Sequence, residues 1–399
     1  MTDHTTRPLA QDELRAANTL FRGTLHVAPS TDEEWTRTVA SYQPGRTLGV
    51  LDAELIGTAR SFDSALTVPG GARVPLGSVT GVGVRADRTR RGVLTELMRA
   101  QLGDFADRGL VAANLYASEG LIYGRFGYGV ATLARKCVVD RRRATVRAEA
   151  PVGGEVELLD LETAKARLPE IYDAFGGDRP GGMSRSEYWW PGLFRQLHRS
   201  DSPVVTVLHH GASGIDGYVV YHSARPNPVD PAVLRVEEFH TATPEAYAQL
   251  WRFLLGVDLI DSIEVSALPT DDPVELLFTD PRAVKVTDTW DETWLRLVDV
   301  PGALAARERG DTELVIEVTD PVLPVNSGRY LVSRDAVTRT EASPQLSMGV
   351  DVLAMIYLGT WRPSALASVG RVEVADAEVA RRADLLFSTR SAAWCGTFF

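Results

Sequence analysis

The chain has 399 residues, 44% of them hydrophobic and 24% charged, a globular balance in a length that calls for two or three cores rather than one. Acidic residues outnumber basic ones 53 to 42, which argues against general nucleic-acid binding with its basic footprint. The stretch Val352 to Leu358 is too short to span a bilayer, the polar start Met1 to Ala10 lacks a signal region, and two distant cysteines, Cys137 and Cys395, suit a reducing cytoplasm without disulfides.

In chain order, a helix is predicted from Ala10 to Arg22 and strands over Thr47–Leu51 and Glu54–Phe62. A reversal follows at Pro69-Gly70-Gly71, then a strand over Gly77–Val84. Val93, Leu94, Leu97, Met98, Leu102 and Phe105 recur at spacings of three and four, the stripe of an amphipathic helix that Gly109 stops. Val111 to Ala117 is the next strand. A strand, a crossover helix and a strand in this order make the two strands parallel neighbours.

A second segment opens with a helix over Leu161–Phe175 and a Gly- and Pro-rich loop. Strands follow at Val204–His209, Gly217–His222 and Val233–His240. Thr243 caps a helix that starts at Pro244, and a strand over Ile263–Ala267 comes next. This order repeats that of the first segment and reads as a degenerate copy. Between its strand and helix stands His240-Thr241-Ala242-Thr243-Pro244, with no Gly and no Arg. The third segment carries extended stretches at Trp294–Val298, Thr312–Val318 and Gly328–Val332. Helices follow at Val350–Leu358, Pro363–Val369 and Ala375–Ser388, with an extended tail from Ala393 to Phe399.

The most specific local signal is the run from Val82 to Leu94: a buried strand with Val82, Gly83 and Val84, a loop with Arg90-Arg91-Gly92, and a helix starting at Val93, Leu94 and Thr95. Helix-initial amides lack intrahelical acceptors and sit at the positive end of the dipole, so a diphosphate can rest there. Gly92 permits close backbone approach, and two arginines add charge-assisted bonds. The run resembles the acetyl-CoA pyrophosphate loop of GNAT enzymes. It departs from the family pattern at Thr89, where Gln or Arg is usual, and at Leu94, where a small residue is usual.

After the next strand comes Ser118-Glu119-Gly120-Leu121-Ile122-Tyr123-Gly124-Arg125-Phe126-Gly127-Tyr128, which is similar to the enhanced-intracellular-survival (Eis) family of GNAT aminoglycoside acetyltransferases. The resemblance covers most of the chain. It implies an α/β (α+β) fold: tandem GNAT folds, the second degenerate and free of CoA, then a sterol-carrier-like domain, with boundaries at 1–147, 148–290 and 291–399. It implies acetyl-CoA as cosubstrate, held by Val82, Gly83, Val84 and Arg90 to Thr95, with Ser118 and Glu119 nearby. Tyr123 becomes the group that protonates the departing thiolate, and the Phe399 α-carboxylate becomes the base, carried into the first domain by the tail. Phe21 and Trp35 line the amine pocket or are ordinary core aromatics.

The implied activity is acetyl transfer to primary amines of aminoglycoside-like polyamines, directly within a ternary complex, by a cytoplasmic hexamer. The alternatives are a lysine or small-polyamine acetyltransferase, or a CoA-binding protein without turnover. Phe398 and Gly23 stand where some relatives carry acids, which weakens the case for broad aminoglycoside use. No metal is expected: His209 and His210 are adjacent on a strand and point to opposite faces. Trp189-Trp190 reads as packing or a subunit contact, and Arg141-Arg142-Arg143 as a solvated charge run. No nucleic-acid or membrane partner is expected.

Overall fold

The computed structural model describes residues 4–198, 200, 202–225, 227, 230 and 232–399. They form two compact units. One comprises the residues up to Thr132, Arg179–Gly192 and Glu292–Phe399; the other comprises Leu133–Asp178 and Leu193–Asp291.

The chain opens with β1 (Thr5–Pro8), α1 (Leu14–Thr24), α2 (Asp32–Thr38), β2 (Thr47–Asp52), β3 (Glu54–Thr67), β4 (Arg73–Val84), α3 (Val93–Asp107), β5 (Ala112–Leu115) and β6 (Gly129–Val130). Sequence patterning misses α2, although Thr31 and Glu34 close a capping box at its start. The apolar stripe of α3 packs on the sheet: Val93 and Leu97 meet Val50, Ile56 and Ala59, while Met98, Leu102 and Phe105 meet Val79, Ala113 and Leu115.

The chain continues through β7 (Leu133–Asp140), β8 (Glu155–Leu159), α4 (Leu161–Phe175), α5 (Trp190–Leu197), β9 (Val204–Gly211), β10 (Gly214–Ala224), β11 (Val233–Thr241), α6 (Pro244–Gly256), β12 (Ser262–Pro269), α7 (Val274–Leu277) and β13 (Val284–Asp291). These strands make one sheet of order β13-β7-β12-β11-β10-β9-β8, in which β11 and β12 run parallel around the crossover helix α6. The core of this unit gathers Trp251, Leu250 and Leu254 of α6 against Val236, Phe239 and Val265.

The last part has β14 (Trp294–Leu297), α8 (Val300–Ala306), β15 (Leu314–Thr319), β16 (Gly328–Val332), β17 (Val337–Arg339), β18 (Leu346–Gly349), α9 (Val350–Tyr357), α10 (Pro363–Ser368), β19 (Glu373–Val374) and α11 (Ala377–Leu386). Strand β14 joins the first sheet, antiparallel between β5 and β6, and gives it the order β1-β2-β3-β4-β5-β14-β6. A five-stranded sheet of order β17-β16-β15-β18-β19 completes this unit. The two sheets share a fully buried ion pair: Arg296 of β14 donates to both oxygens of Asp320 at 2.8 and 2.7 Å. Asp320 also accepts from the amides of Val322 and Leu323 and from Asn326. Deleting one partner of such a pair strands a buried charge, at a cost of about 3–5 kcal/mol.

Candidate active site

The first sheet splits where β4 outruns β5. The two strands run parallel from Leu76 opposite Ala112 to Val79 opposite Leu115, as the strand–helix–strand order predicts. Beyond that point β4 continues to Val84 paired with β3 alone. On this stretch the register with β3 shifts, with two residues, Gly81 and Val82, set against the single Ala59. Such a bulge frees backbone groups and redirects side chains. Upstream of it, Gly77 faces Phe105 of α3; beyond it, Gly83 faces Leu20, Phe21 and Thr24 of α1. The open edge of β4 at Val82, Gly83 and Val84 therefore offers backbone donors and acceptors to an extended amide-bearing ligand.

The loop from β4 to α3 uses its arginines in two ways. Arg85 is tied to Asp87 at 2.7 Å and to Glu54 at 2.6 Å, and Arg88 to Asp52 at 3.2 Å. Arg90 and Arg91 are exposed and have no ion pair among the described residues. Gly92 caps α3 at φ +87° with nothing within 4 Å of where a Cβ would stand. It has no side chain to cap the amides of Val93, Leu94 and Thr95. Glu96, the acid of the first turn, is engaged by Thr6 and His4. Two free guanidiniums, uncapped amides and an open approach together suit a diphosphate.

Past β5 the chain passes through exposed Ser118 and Glu119 to Tyr123, which precedes a short helical turn over Gly124–Phe126. The Tyr123 ring is buried with Met98, Leu115, Phe126 and Trp294 and meets Tyr128 edge-on at 6.0 Å. Burial pushes its phenol up to about 12, and among the described residues the hydroxyl has no hydrogen-bond partner.

The chain terminus lies on the sheet face opposite α3, at the split. The Phe399 ring meets Phe62 of β3 at 5.4 Å and Tyr116, the residue after β5, at 5.2 Å; the exposed Phe398 ring meets Tyr116 at 4.8 Å. Residues missed by sequence reasoning secure the tail. Glu292 accepts the amides of Cys395 and Gly396, each at 2.8 Å. Arg185 donates to the Gly396 carbonyl at 2.8 Å and to the Thr397 hydroxyl at 3.0 Å. Tyr116 donates to the Thr397 carbonyl at 3.0 Å, and the Trp189 indole to the Phe398 carbonyl at 2.8 Å. Trp189, expected as packing or a subunit contact, is thus buried and also binds the tail.

Backbone ordering costs about 1–2 kcal/mol per residue, and a hydrogen bond to a charged group returns about 1.5–3 kcal/mol. The tail's order therefore depends on its bonds to Glu292 and Arg185. Burial pushes the Glu292 carboxyl up, while the tail amides and the hydroxyls of Thr132 and Tyr116 pull it down.

Of the residues assigned to the amine pocket, Phe21 lies on α1 with its backbone against Gly83. Trp35 on α2 packs edge-on to Tyr42 at 5.6 Å, beside a small core of Leu9, Leu14 and Ala17. A cleft of about 720 Å³ runs from Leu20, Gly23 and Thr24 of α1 to Val84 and Thr89 of the loop.

In the other unit, the turn from β11 into α6 differs chemically. The Thr243 hydroxyl accepts the Ala246 amide, Pro244 brings no N–H, and Glu245 places an acid in the first turn. Buried His209 is held by Asp216 at 2.6 Å and by the Gly153 carbonyl at 2.9 Å. Among the described residues no group of three or more His, Cys, Asp or Glu is placed to hold a metal. Arg141, Arg142 and Arg143 face Asp258, Asp261 and Asp280. No helix among the described residues is long and apolar enough to cross a membrane.

A split parallel strand pair, a bulged free edge and an uncapped basic helix start define a GNAT acetyltransferase, an enzyme class that uses acetyl-CoA. Profiles of the acetyltransferase (GNAT) domain match residues 5–131 and 181–297, and a sterol carrier protein domain matches 300–396. The chain is 35% identical to N-acetyltransferase Eis of Mycobacterium tuberculosis over 352 residues, 84% of each chain. It is 34% identical to an uncharacterized N-acetyltransferase of Streptomyces avermitilis over 417 residues, 98% of each. The crystal structure of Eis1 from Mycobacterium abscessus superposes with a TM-score of 0.91 at 38% identity, covering 99% of this chain and 100% of that one. The chain belongs to the Eis family of N-acetyltransferases.

Proposed function

We propose that this enzyme acetylates primary amines of aminoglycoside-like polyamines by direct transfer, using the terminal carboxylate of Phe399 as base and Tyr123 as acid. The observation that carries the reading is the anchored chain end, ordered against Phe62 and Tyr116 where β4 and β5 part. Most chain ends fray; one tied through four successive residues is built for a task. Acetyl-CoA supplies the thioester when bound. Val82, Gly83 and Val84 hold its amide-bearing arm along the open strand edge, and Arg90 to Thr95 hold its diphosphate, with Ser118 and Glu119 beside it. The amine rests against α1 and α2, between Phe21 and Trp35, and gives its proton to the Phe399 carboxylate. The Tyr123 hydroxyl donates to the sulfur as charge develops there. The working assembly is a hexamer, as the family resemblance implies, and the two unpaired cysteines suit a cytoplasmic setting.

Thiol release from acetyl-CoA, measured against aminoglycosides, lysine peptides and small polyamines, tests the substrate class. Turnover fastest with aminoglycosides is expected. Turnover confined to lysine peptides or small polyamines assigns another amine, and binding without turnover removes catalysis. Amidating the terminus tests the base. It removes the charge with almost no change in bulk, so turnover should fall by a factor on the order of 10² or more while acetyl-CoA affinity stays. An amidated enzyme as fast as wild type at neutral pH would transfer the base role to a side chain or water of the first unit.

A further inference from the structure

We infer that Glu292 and Arg185 are positioning residues that set the Phe399 carboxylate for catalysis by gripping the tail, one through its amides and the other through its oxygens. This rests on the reading of Phe399 as the base. Glu292 takes the two N–H groups of Cys395 and Gly396, so it reads only donors. Arg185 gives to the carbonyl of Gly396 and the hydroxyl of Thr397, so it reads only acceptors. Gly396, the residue both share, has φ +62°, the left-handed region that favours glycine. The two grips therefore fix a backbone bend three residues before the carboxylate.

Both gripping residues are themselves fixed. The backbone of Glu292 donates to Thr132 at 3.0 Å, and the residue is 1% exposed. Arg185 is 4% exposed, and its guanidinium stacks over Trp189 at 4.0 Å. Trp189 in turn bonds the Phe398 carbonyl, and Tyr116 bonds that of Thr397. Two charged groups taken out of water to bind backbone incur a desolvation penalty that a passive chain end gives no reason to meet. Neither touches the reacting atoms; each acts through the terminus.

The test is a double-mutant cycle in the full-length enzyme. Glu292→Ala and Arg185→Met are each made with the native terminus and with an amidated one. Turnover, acetyl-CoA affinity and the rate of tail digestion by carboxypeptidase are measured. With the native terminus each substitution should lower kcat on the order of tenfold to a hundredfold, the scale of an ångström misplacement. Acetyl-CoA affinity should stay, and carboxypeptidase should release Phe399 faster. In the amidated enzyme the same substitutions should lower kcat little further, because the group they position is already gone. Glu292→Asp and Arg185→Lys, which keep the charge, should recover part of the rate.

Outcomes separate the two claims. Wild-type turnover in the amidated enzyme overturns the base. A slow amidated enzyme with wild-type turnover in Glu292→Ala and Arg185→Met overturns the positioning role. So does a loss that is fully additive with amidation, or one that comes with weakened acetyl-CoA binding, since either marks general destabilisation. If both alanine and methionine variants fail to fold, the Asp and Lys variants decide: unchanged digestion rate and unchanged kcat in both overturn it.

Discussion

Tyr123 has a phenol raised by burial to about 12, and that fixes the sign of its pH behaviour. The proton is present below that value and leaves only as pH rises through it, so the donor stays intact across the neutral and mildly alkaline range. A thiolate with a pKa of about 8.5 is too weak a base to take this proton in the ground state. In the proposed mechanism the hydroxyl therefore acts first as a hydrogen-bond donor to the charge developing on sulfur. Tyr123→Phe should lower kcat on the order of 10²-fold, with acetyl-CoA affinity nearly unchanged by calorimetry. Wild-type kcat should hold up to pH 10; a fall centred near pH 9 that vanishes in Tyr123→Phe would contradict the assignment. At Gly23 the opposite experiment is available. Nothing lies within 4 Å of its missing Cβ, and it borders the cleft along α1. Gly23→Asp should lower KM for a polycationic amine about fivefold, the scale of one partly exposed ion pair. The gain should shrink in high salt; an unchanged KM would place the amine elsewhere. At this scale the sequence is readable where chemistry is contiguous, as in Arg90-Arg91-Gly92 and the run to Tyr123. Arg185 and Thr397 meet across 212 positions, and no local pattern marks Arg185 or Glu292 as partners of the tail.

Among elements, the helix start of α3 carries the clearest signal, and the structure separates its engaged arginines from its free ones. Arg85 and Arg88 brace the loop against Glu54 and Asp52 and leave Arg90 and Arg91 free. Arg91→Ala should weaken acetyl-CoA binding on the order of tenfold, the value of one charge-assisted bond. Gly92→Asp should weaken it more. It strains a position at φ +87°, and its carboxylate would cap the very amides a diphosphate needs. Calorimetry with the far-ultraviolet circular dichroism spectrum as a fold control checks both, and unchanged affinity in both removes the loop from the site. The longer elements, among them α3, α4, α6, β3, β10 and β11, followed from periodicity, while short ones such as β1, α2, α7 and α8 did not, and the parallel pairing of β4 with β5 followed from chain order. Strand β7 was not expected at all, and the destination of β14 did not follow from its pattern. Leu133–Asp140 lies between β12 and β13, and Trp294–Leu297 between β5 and β6. Alternating hydrophobicity says that a strand buries a face, and it cannot say against which sheet.

For the whole molecule, two GNAT units in one chain raise the question of how many cofactor sites it has, and helix capping answers it. Both units run strand, helix, parallel strand, with α3 after β4 and α6 after β11. A diphosphate needs the first helical amides unoccupied. At α3 they are, because Gly92 has no side chain to give them and two free arginines stand beside it. At α6 the first helical position is Pro244, which has no N–H, and the Ala246 amide is taken by Thr243. The acid Glu245 opposes an anion at the same helix end. The 510 Å³ cleft beside it is lined by one acid and one base, Glu149 and Arg147, together with Leu276 and Leu277, and the Arg147 guanidinium is engaged by the Leu276 carbonyl. One acetyl-CoA should therefore bind per chain. Equilibrium dialysis at saturating acetyl-CoA should give a ratio near one, and Gly92→Asp should abolish most of that binding. Replacing Thr243 by Gly should leave the ratio at one, because removing the cap still leaves a proline and an acid where amides and arginines are needed. A ratio near two in the wild-type enzyme, with half of it surviving Gly92→Asp, would mean that the second unit binds the cofactor by contacts other than its helix start.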